Sequence, residues 1–432
     1  MKANKKIIVL LLLVLVATFL LSGCNLLSPN KTVMDTIINE QGELVVIYSN
    51  GTSQNLGKIT VTEGSGDNND DSITPPSTGD GSGEGDIIIN TNGGSIASAA
   101  AKASRSAVSV VATHSSGSSA GSGVVFKYNS KDDGYFVITN YHVVYSATER
   151  GIADDIKVML YGNEYSEGAM AAKYVGGSLN YDIAVLFVEN NDILKASSVT
   201  TVTVADSNNV SIGDTAIAVG NARGEGISVT SGVISVDSES LEMLAADEKT
   251  TVNFRVMRTD AAVNRGNSGG GLFNDRGELI GIVNAKTIVE GVEGMGYAIP
   301  STLACNVANN IIDNCYGELN TSVKRALLGI TVSISDSISI FDPETGKVSI
   351  VETVVVMEVT SGSILAGKVK ADDVIKSITL DGYETQEVTR QHHVIDYMLN
   401  ARVGDSCTMV VSSNGQERSV TFTITAGCIT LY

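Results

Sequence analysis

The sequence predicts a mainly β protein, with a barrel or sandwich at its centre and a smaller mixed unit behind it. Between about residues 100 and 300 the chain is written as short Val/Ile-rich runs divided by Gly and Asn turns. Gly123-Val124-Val125-Phe126, Phe136-Val137-Ile138-Thr139, Ile183-Ala184-Val185-Leu186 and Leu279-Ile280-Gly281-Ile282-Val283 are examples. Many short strands at near-regular spacing build an all-β barrel or sandwich. One helical stretch, 301–317, then separates this region from residues 323–432, which mix strand-like and helical patterns. With 432 residues, 43% hydrophobic and 18% charged, the chain has material for two or three cored domains.

Taken in order, the chain starts with Lys2, Lys5 and Lys6, an apolar run from Ile7 to Leu21, and Leu21-Ser22-Gly23-Cys24. A positive start, an apolar core and small residues before a cleavage point make a secretory signal. The run is shorter than the roughly 20 residues a spanning helix needs. Leu-Ser-Gly-Cys resembles the bacterial lipobox, which implies a signal peptide over 1–23 and lipidation of Cys24 at the mature N-terminus. The rest of the chain is then expected outside the cytoplasm, tethered to the cell membrane by that lipid. An uncleaved anchor with an incidental Cys is the alternative.

Residues 24–60 hold one pattern, Glu43 to Tyr48 and a return ending at Ile59 around Asn50-Gly51, the signature of a tight hairpin. Residues 61–99 carry seven acidic and no basic side chains among Gly, Ser, Asp and Asn. Such a composition reads as a flexible tether. The protein carries 48 acidic against 29 basic residues, a formal charge of -19, which argues against nucleic acid as a partner. Residues 24–99 alone hold ten acids and two lysines, or -8. An acidic tether should stand off from an anionic membrane surface.

The sequence has no CxxC, HExxH or His/Cys cluster, so neither a metal site nor a cofactor is expected. Cys305 and Cys315 share the 301–317 helix, where ten residues at 1.5 Å place them roughly 15 Å apart, too far for a disulfide. Cys407 and Cys428 flank a hairpin at Asn414-Gly415 in a register that does not oppose them, so no disulfide is expected.

Three segments carry chemistry. Thr139-Asn140-Tyr141-His142 places a His directly after an apolar strand, and Tyr181-Asp182-Ile183 places an Asp at the mouth of a buried one. Gly266-Asn267-Ser268-Gly269-Gly270 places a Ser in a glycine-rich turn. Serine catalysis needs a base to take the hydroxyl proton and a carboxylate to orient that base. His142, Asp182 and Ser268 fit those roles, and the amides of Gly266 and Ser268 fit an oxyanion hole. The order His, Asp, Ser is that of chymotrypsin-like enzymes. Ser119, in Gly117-Ser118-Ser119-Ala120-Gly121, matches a nucleophile pattern formally but lacks a strand-to-helix elbow. His114 falls in that Ser/Gly loop and should be solvated. His392 and His393 lie in the C-terminal unit, so His142 is the base by elimination as well.

These segments resemble the HtrA family of serine proteases over roughly residues 104–432. The likeness runs through Gly121-Ser122-Gly123-Val124-Val125, Val229-Thr230-Ser231-Gly232-Val233-Ile234-Ser235 and Gly296-Tyr297-Ala298-Ile299-Pro300. It is densest from Thr259 to Gly270. The resemblance implies a chymotrypsin-like double β-barrel protease domain over 100–300 and a connecting helix over 301–322. A small mixed α/β PDZ domain over 323–432 should follow. It implies two six-stranded barrels with the triad between them, a homotrimer, and cleavage of unfolded or misfolded exported proteins. An S1 wall from Ala262 to Asn264 and Ile282 to Asn284 holds no acid, which favours small aliphatic P1 residues.

By the same resemblance, Leu327, Leu328, Gly329 and Ile330 form the loop that captures a peptide C-terminus, and the following strand pairs with the peptide. Thr389 to Leu399 is the groove helix, with Val394, Ile395, Met398 and Leu399 on one face. Val236-Asp237-Ser238-Glu239-Ser240 lacks the basic residue that relatives often use to couple peptide binding to the catalytic loop. A non-proteolytic chaperone or PDZ scaffold, and a regulatory protease with one target, are the competing readings.

Overall fold

The computed structural model describes strands Val33–Ile38, Glu43–Tyr48, Ser53–Thr62 and Ile87–Asn90, and residues 96–432 except 163–167, 222–225, 288–294 and 319–321. The 1–23 signal and Cys24 lie outside the described residues. The chain divides into two compact units, Met1–Gly94 and Ser95–Tyr432.

In the first unit the four strands form one sheet in chain order. The strands flanking Asn50-Gly51 pair antiparallel, Ile47 opposite Ser53, as the hairpin signal predicts. The segment read as a tether departs from expectation. Strand Ser53–Thr62 runs into it, and Ile87–Asn90 pairs parallel with Ile59 to Thr62. The Ile87-Ile88-Ile89 run has high strand preference, which the Gly/Ser/Asp-rich average of the wider window conceals.

The second unit begins with helix Ile96–Ser104, which buries Ala99 and Ala103. A curled seven-stranded sheet follows, ordered Met170–Ala171, Asp155–Leu160, Ala107–His114, Gly117–Asn129, Gly134–Thr139, Ile183–Glu189, Lys173–Ser178. Its two outer members are consecutive in the chain, divided by Ala172 alone. Residues 170–178 therefore pair with one edge through Met170 and Ala171 and with the other from Lys173 onward. One bent strand thus links both edges, and the seven segments amount to the six strands expected of this barrel.

The next six strands, Thr215–Gly220, Ser228–Leu244, Thr251–Thr259, Gly271–Phe273, Leu279–Val283 and Gly296–Pro300, close a barrel by hydrogen bonds. Ile234, Met257, Leu272 and Ile280 form a buried cluster of its own, while Ile217, Phe273, Leu279, Ile282 and Ile299 are buried in the cluster it shares with the first sheet. Burial of a side chain of this size stabilises by about 1.5–3 kcal/mol.

Helix Ser301–Cys315 is more than a connector. Leu303, Val307, Ala308 and Ile311 share one apolar cluster with Phe136, Val185 and Phe187 of the first sheet and Ile217 and Ile282 of the second barrel. Buried Asn310 donates to the carbonyls of Lys324 (2.6 Å) and Leu399 (2.7 Å) and accepts from the Lys324 N–H (2.9 Å). One side chain so ties the helix to the C-terminal region. Cys305 and Cys315 on this helix, with Cys407 and Cys428, are buried free thiols.

The C-terminal region is a six-stranded sheet with Ile330–Phe341 at one edge, paired on its other side with Val348–Val359. Asn414 and Gly415 both have positive φ (52° and 82°), as the hairpin between Ser406–Ser413 and Gln416–Thr423 requires. The expected 389–399 helix is shorter: α-helix Gln391–Tyr397, tightening to a 3₁₀ turn at Met398–Asn400. Val394, Met398 and Leu399 are buried, but Ile395 is 42% exposed and leaves the predicted apolar face.

Candidate active site

His142 sits in the one-turn helix Tyr141–Val144, directly after strand Gly134–Thr139. Asp182 immediately precedes strand Ile183–Glu189 and is 2% exposed, in a left-handed conformation at φ 49°. Because those two strands pair antiparallel, Thr139 opposite Ala184, the residues past one end and before the other meet. His142 Nδ1 lies 2.7 Å from Asp182 Oδ2, and the His142 backbone N–H donates to Oδ1 at 3.0 Å. The Asn284 amide donates to Oδ2 at 2.9 Å. Three contacts hold the carboxylate, so its burial is compensated. With Nδ1–H turned to Asp182, Nε2 is the free acceptor of the imidazole.

Ser268 lies in the second of two successive turns, which are closed by Asn267 N–H to Asn264 O (3.0 Å) and Gly270 N–H to Asn267 O (2.9 Å). Gly266 and Gly269 adopt φ 98° and 83°, a region that side chains with a Cβ avoid. Neither the Gly266 nor the Ser268 N–H donates to another described group. Ser268 Oγ accepts from the Ala285 N–H at 3.1 Å and makes no hydrogen bond to His142. His142, Gly266, Ser268 and Ala285 line one cavity of about 660 Å³.

Residues 121–282 match the trypsin-like peptidase domain family. The chain carries a trypsin-like peptidase domain. It is 31% identical over 315 residues to the serine protease Do-like HtrA of Bacillus subtilis (strain 168), covering 69% of this chain and 62% of that protein. To the periplasmic pH-dependent serine endoprotease DegQ of Escherichia coli (strain K12) it is 38% identical over 262 residues, covering 60% of this chain and 50% of the relative. A solved structure, the HtrA-type protease AlgW with tripeptide, is 28% identical with a TM-score of 0.49, covering 78% of this chain and 97% of that one. The chain is homologous to the Do-like HtrA serine proteases, and spans from half to about three fifths of the length of these curated relatives.

Within the peptidase domain, sequence reasoning missed Ser122. It is fully buried, and its Oγ donates to the Gly266 carbonyl (2.7 Å) while accepting from the Asn221 N–H (2.7 Å). Its backbone N–H donates to Ser268 O at 2.8 Å. Ser122 thus pins the turn that carries Ser268 from the first barrel. Its only signal was its place between Gly121 and Gly123. Asn284, read as pocket wall, serves Asp182 instead, while Ile282 faces the core. Ala285 and Lys286 line the cavity in their place.

Two serine and histidine expectations change. Ser119 lies on strand Gly117–Asn129 with its Oγ donating to Val143 O (2.7 Å), and lines the same cavity. His114 is not solvated: it ends strand Ala107–His114 opposite Gly117 and is 9% exposed, because the hairpin closes over it.

In the C-terminal region Leu328 is buried and Leu327 exposed. Gly329 has φ 67°, and Ile330 opens the edge strand. Gln391 Nε2 donates to Val332 O (2.9 Å) on that strand. His393 is buried, its Nδ1 2.9 Å from Glu387 O, and burial pushes its pKa down. His392 is pushed down to about 2, first by burial and then by the Arg255 charge. Segment 236–240, which lacks a base, pairs through an acid: Asp237 accepts from Arg390 at 2.8 Å, and Arg390 also faces Glu352 at 3.3 Å. Arg255 pairs with buried Asp396 at 2.6 Å.

Proposed function

We propose that the protein is an extracytoplasmic serine endopeptidase of HtrA type that cleaves unfolded or misfolded exported proteins. His142 is the general base, Asp182 its orienter and Ser268 the nucleophile. The observation that carries the reading is the His142–Asp182 pair sharing a cavity with Ser268 beside two undirected N–H groups. Ser268 Oγ attacks the scissile carbonyl as His142 Nε2 takes its proton. The Gly266 and Ser268 amides hold the resulting oxyanion, and His142 returns the proton to the leaving amine. Water then cleaves the acyl-enzyme with the same base. The small neutral residues of the cavity suit a small aliphatic P1 side chain.

Cys24 carries the lipid that tethers the chain to the membrane, as the lipobox likeness implies; the Leu327–Ile330 loop and its edge strand bind peptide C-termini and the assembly is a trimer, as the family resemblance implies. The contact of Ser268 Oγ with the Ala285 N–H favours a resting state in which the hydroxyl must rotate toward His142 before turnover. The test is digestion of unfolded casein by the chain and by Ser268→Ala. Cleavage lost in the variant supports the mechanism, and equal cleavage by both refutes it. Cleavage by neither favours the non-proteolytic chaperone or scaffold. Palmitate labelling retained in Cys24→Ala would overturn the anchor.

A further inference from the structure

We propose that the mouth of the catalytic cavity selects segments with an acidic side chain within a few residues of the scissile bond, with Arg265 as the specificity-determining contact. The inference rests on the peptidase reading and adds the class of segment cut. Among the described residues lining the cavity, Arg265 and Lys286 are the basic side chains besides His142, and none is a carboxylate. In a chain of formal charge -19, two cations facing one cavity run against the average.

The two cations differ in what already answers them. Lys286 is half-buried, and its Nζ donates to Ala245 O at 2.6 Å. Asp182, Glu248 and Asp247 oppose the burial that pushes its pKa down, so protein carboxylates already face its charge. Arg265 is exposed and makes no hydrogen bond or ion pair with any described residue. Asp182 does not serve it, being buried and held by His142 and Asn284. Arg265 thus offers an unpaired guanidinium immediately before Gly266, whose N–H is one of the two undirected amides.

A guanidinium meets a carboxylate through two parallel N–H···O bonds, which gives it selectivity over an amide. Beside the place where the scissile carbonyl must lie, that selectivity acts on residues flanking the cut. The neutral lining, including Ala120, Val143 and Ala285, leaves the small aliphatic P1 site as it is. For a solvent-exposed pair with good geometry the expected gain is about three- to tenfold in affinity.

The test uses the full chain and peptides sharing one small aliphatic P1 residue, with a single Glu, Gln or Lys moved through P3 to P3′. Binding is measured by anisotropy on Ser268→Ala protein, and cleavage by the wild type is measured separately. At one or two positions Glu binds about three- to tenfold tighter than Gln, and added salt closes the gap. Arg265→Gln removes the difference and Arg265→Glu reverses it in favour of Lys, which a merely structural role would not do. Equal binding of Glu and Gln at every position overturns the inference. So does an Arg265→Glu variant with the order unchanged, or no measurable binding by any peptide. A binding preference with no cleavage by the wild type would sink the peptidase reading alone, and cleavage without a preference would sink this inference alone.

Discussion

Replacing Ser122 by Ala deletes one oxygen from a fully buried side chain that never meets substrate. That oxygen serves two groups at 2.7 Å each, the Gly266 carbonyl and the Asn221 N–H. Truncation leaves both without a partner, and an orphaned buried polar group costs about 1–3 kcal/mol. Because the Gly266 bond is only partly buried, the sum is about 2–4 kcal/mol. The functional effect is separate. The Gly266 carbonyl belongs to the turn that carries the proposed oxyanion donors, and losing one such donor costs about 10²–10³ in kcat. A turn that is loosened, with its donors still present, should lose about 10- to 100-fold. The assay is kcat and KM on a peptide substrate with the urea midpoint of the same preparation. KM should move little, since the turn acts on the transition state more than on substrate. A variant with an unchanged midpoint and kcat within about twofold of wild type would refute the idea that Ser122 pins the turn of the proposed nucleophile.

Other predictions follow from neighbouring contacts. Asn284→Ala removes the amide on Asp182 Oδ2, a hydrogen bond to a charged group worth about 1.5–3 kcal/mol, so kcat should fall about 10- to 100-fold. An unchanged kcat would remove Asn284 from the site. Asp237→Ala and Arg390→Ala should each loosen the C-terminal region from the peptidase domain, with a coupling energy of about 1–3 kcal/mol in a double-mutant cycle. Strictly additive effects on stability would deny the pair. The folded pKa of His392, about 2, is depressed below that of the unfolded state, so acidification protonates the unfolded chain first. Its contribution is therefore fully present above about pH 6.5 and is progressively lost toward the folded pKa, amounting to about 2 kcal/mol by pH 5. His392→Gln should flatten this part of the stability profile, and parallel profiles for the two proteins would contradict the assignment.

The sheet content of the peptidase domain was legible because each strand advertises itself within a few residues. Val/Ile runs between Gly and Asn turns need no distant information. The closure of the first barrel was not legible: it depends on Ala172, where one segment changes partner from Asp155–Leu160 to Ile183–Glu189. The 61–99 stretch misled in the other direction. Its average composition denies a core, yet three consecutive isoleucines suffice to add a strand to a sheet that already exists.

The proposed reagents are legible in the sequence alone: a His after one strand, an Asp before its neighbour and a Ser between glycines. Nucleophilic catalysis admits few residue types for those roles, and a left-handed turn admits few besides glycine. Tertiary structure alone decided what holds them. Ser122 meets Gly266 across 144 positions of chain, and Asn284 meets Asp182 across 102. It also decided that Asp237 would find Arg390, and that Arg265 would stand at the cavity without a partner. A hydrogen bond between residues so far apart leaves no periodicity to read. Its existence depends on where packing brings two backbones together.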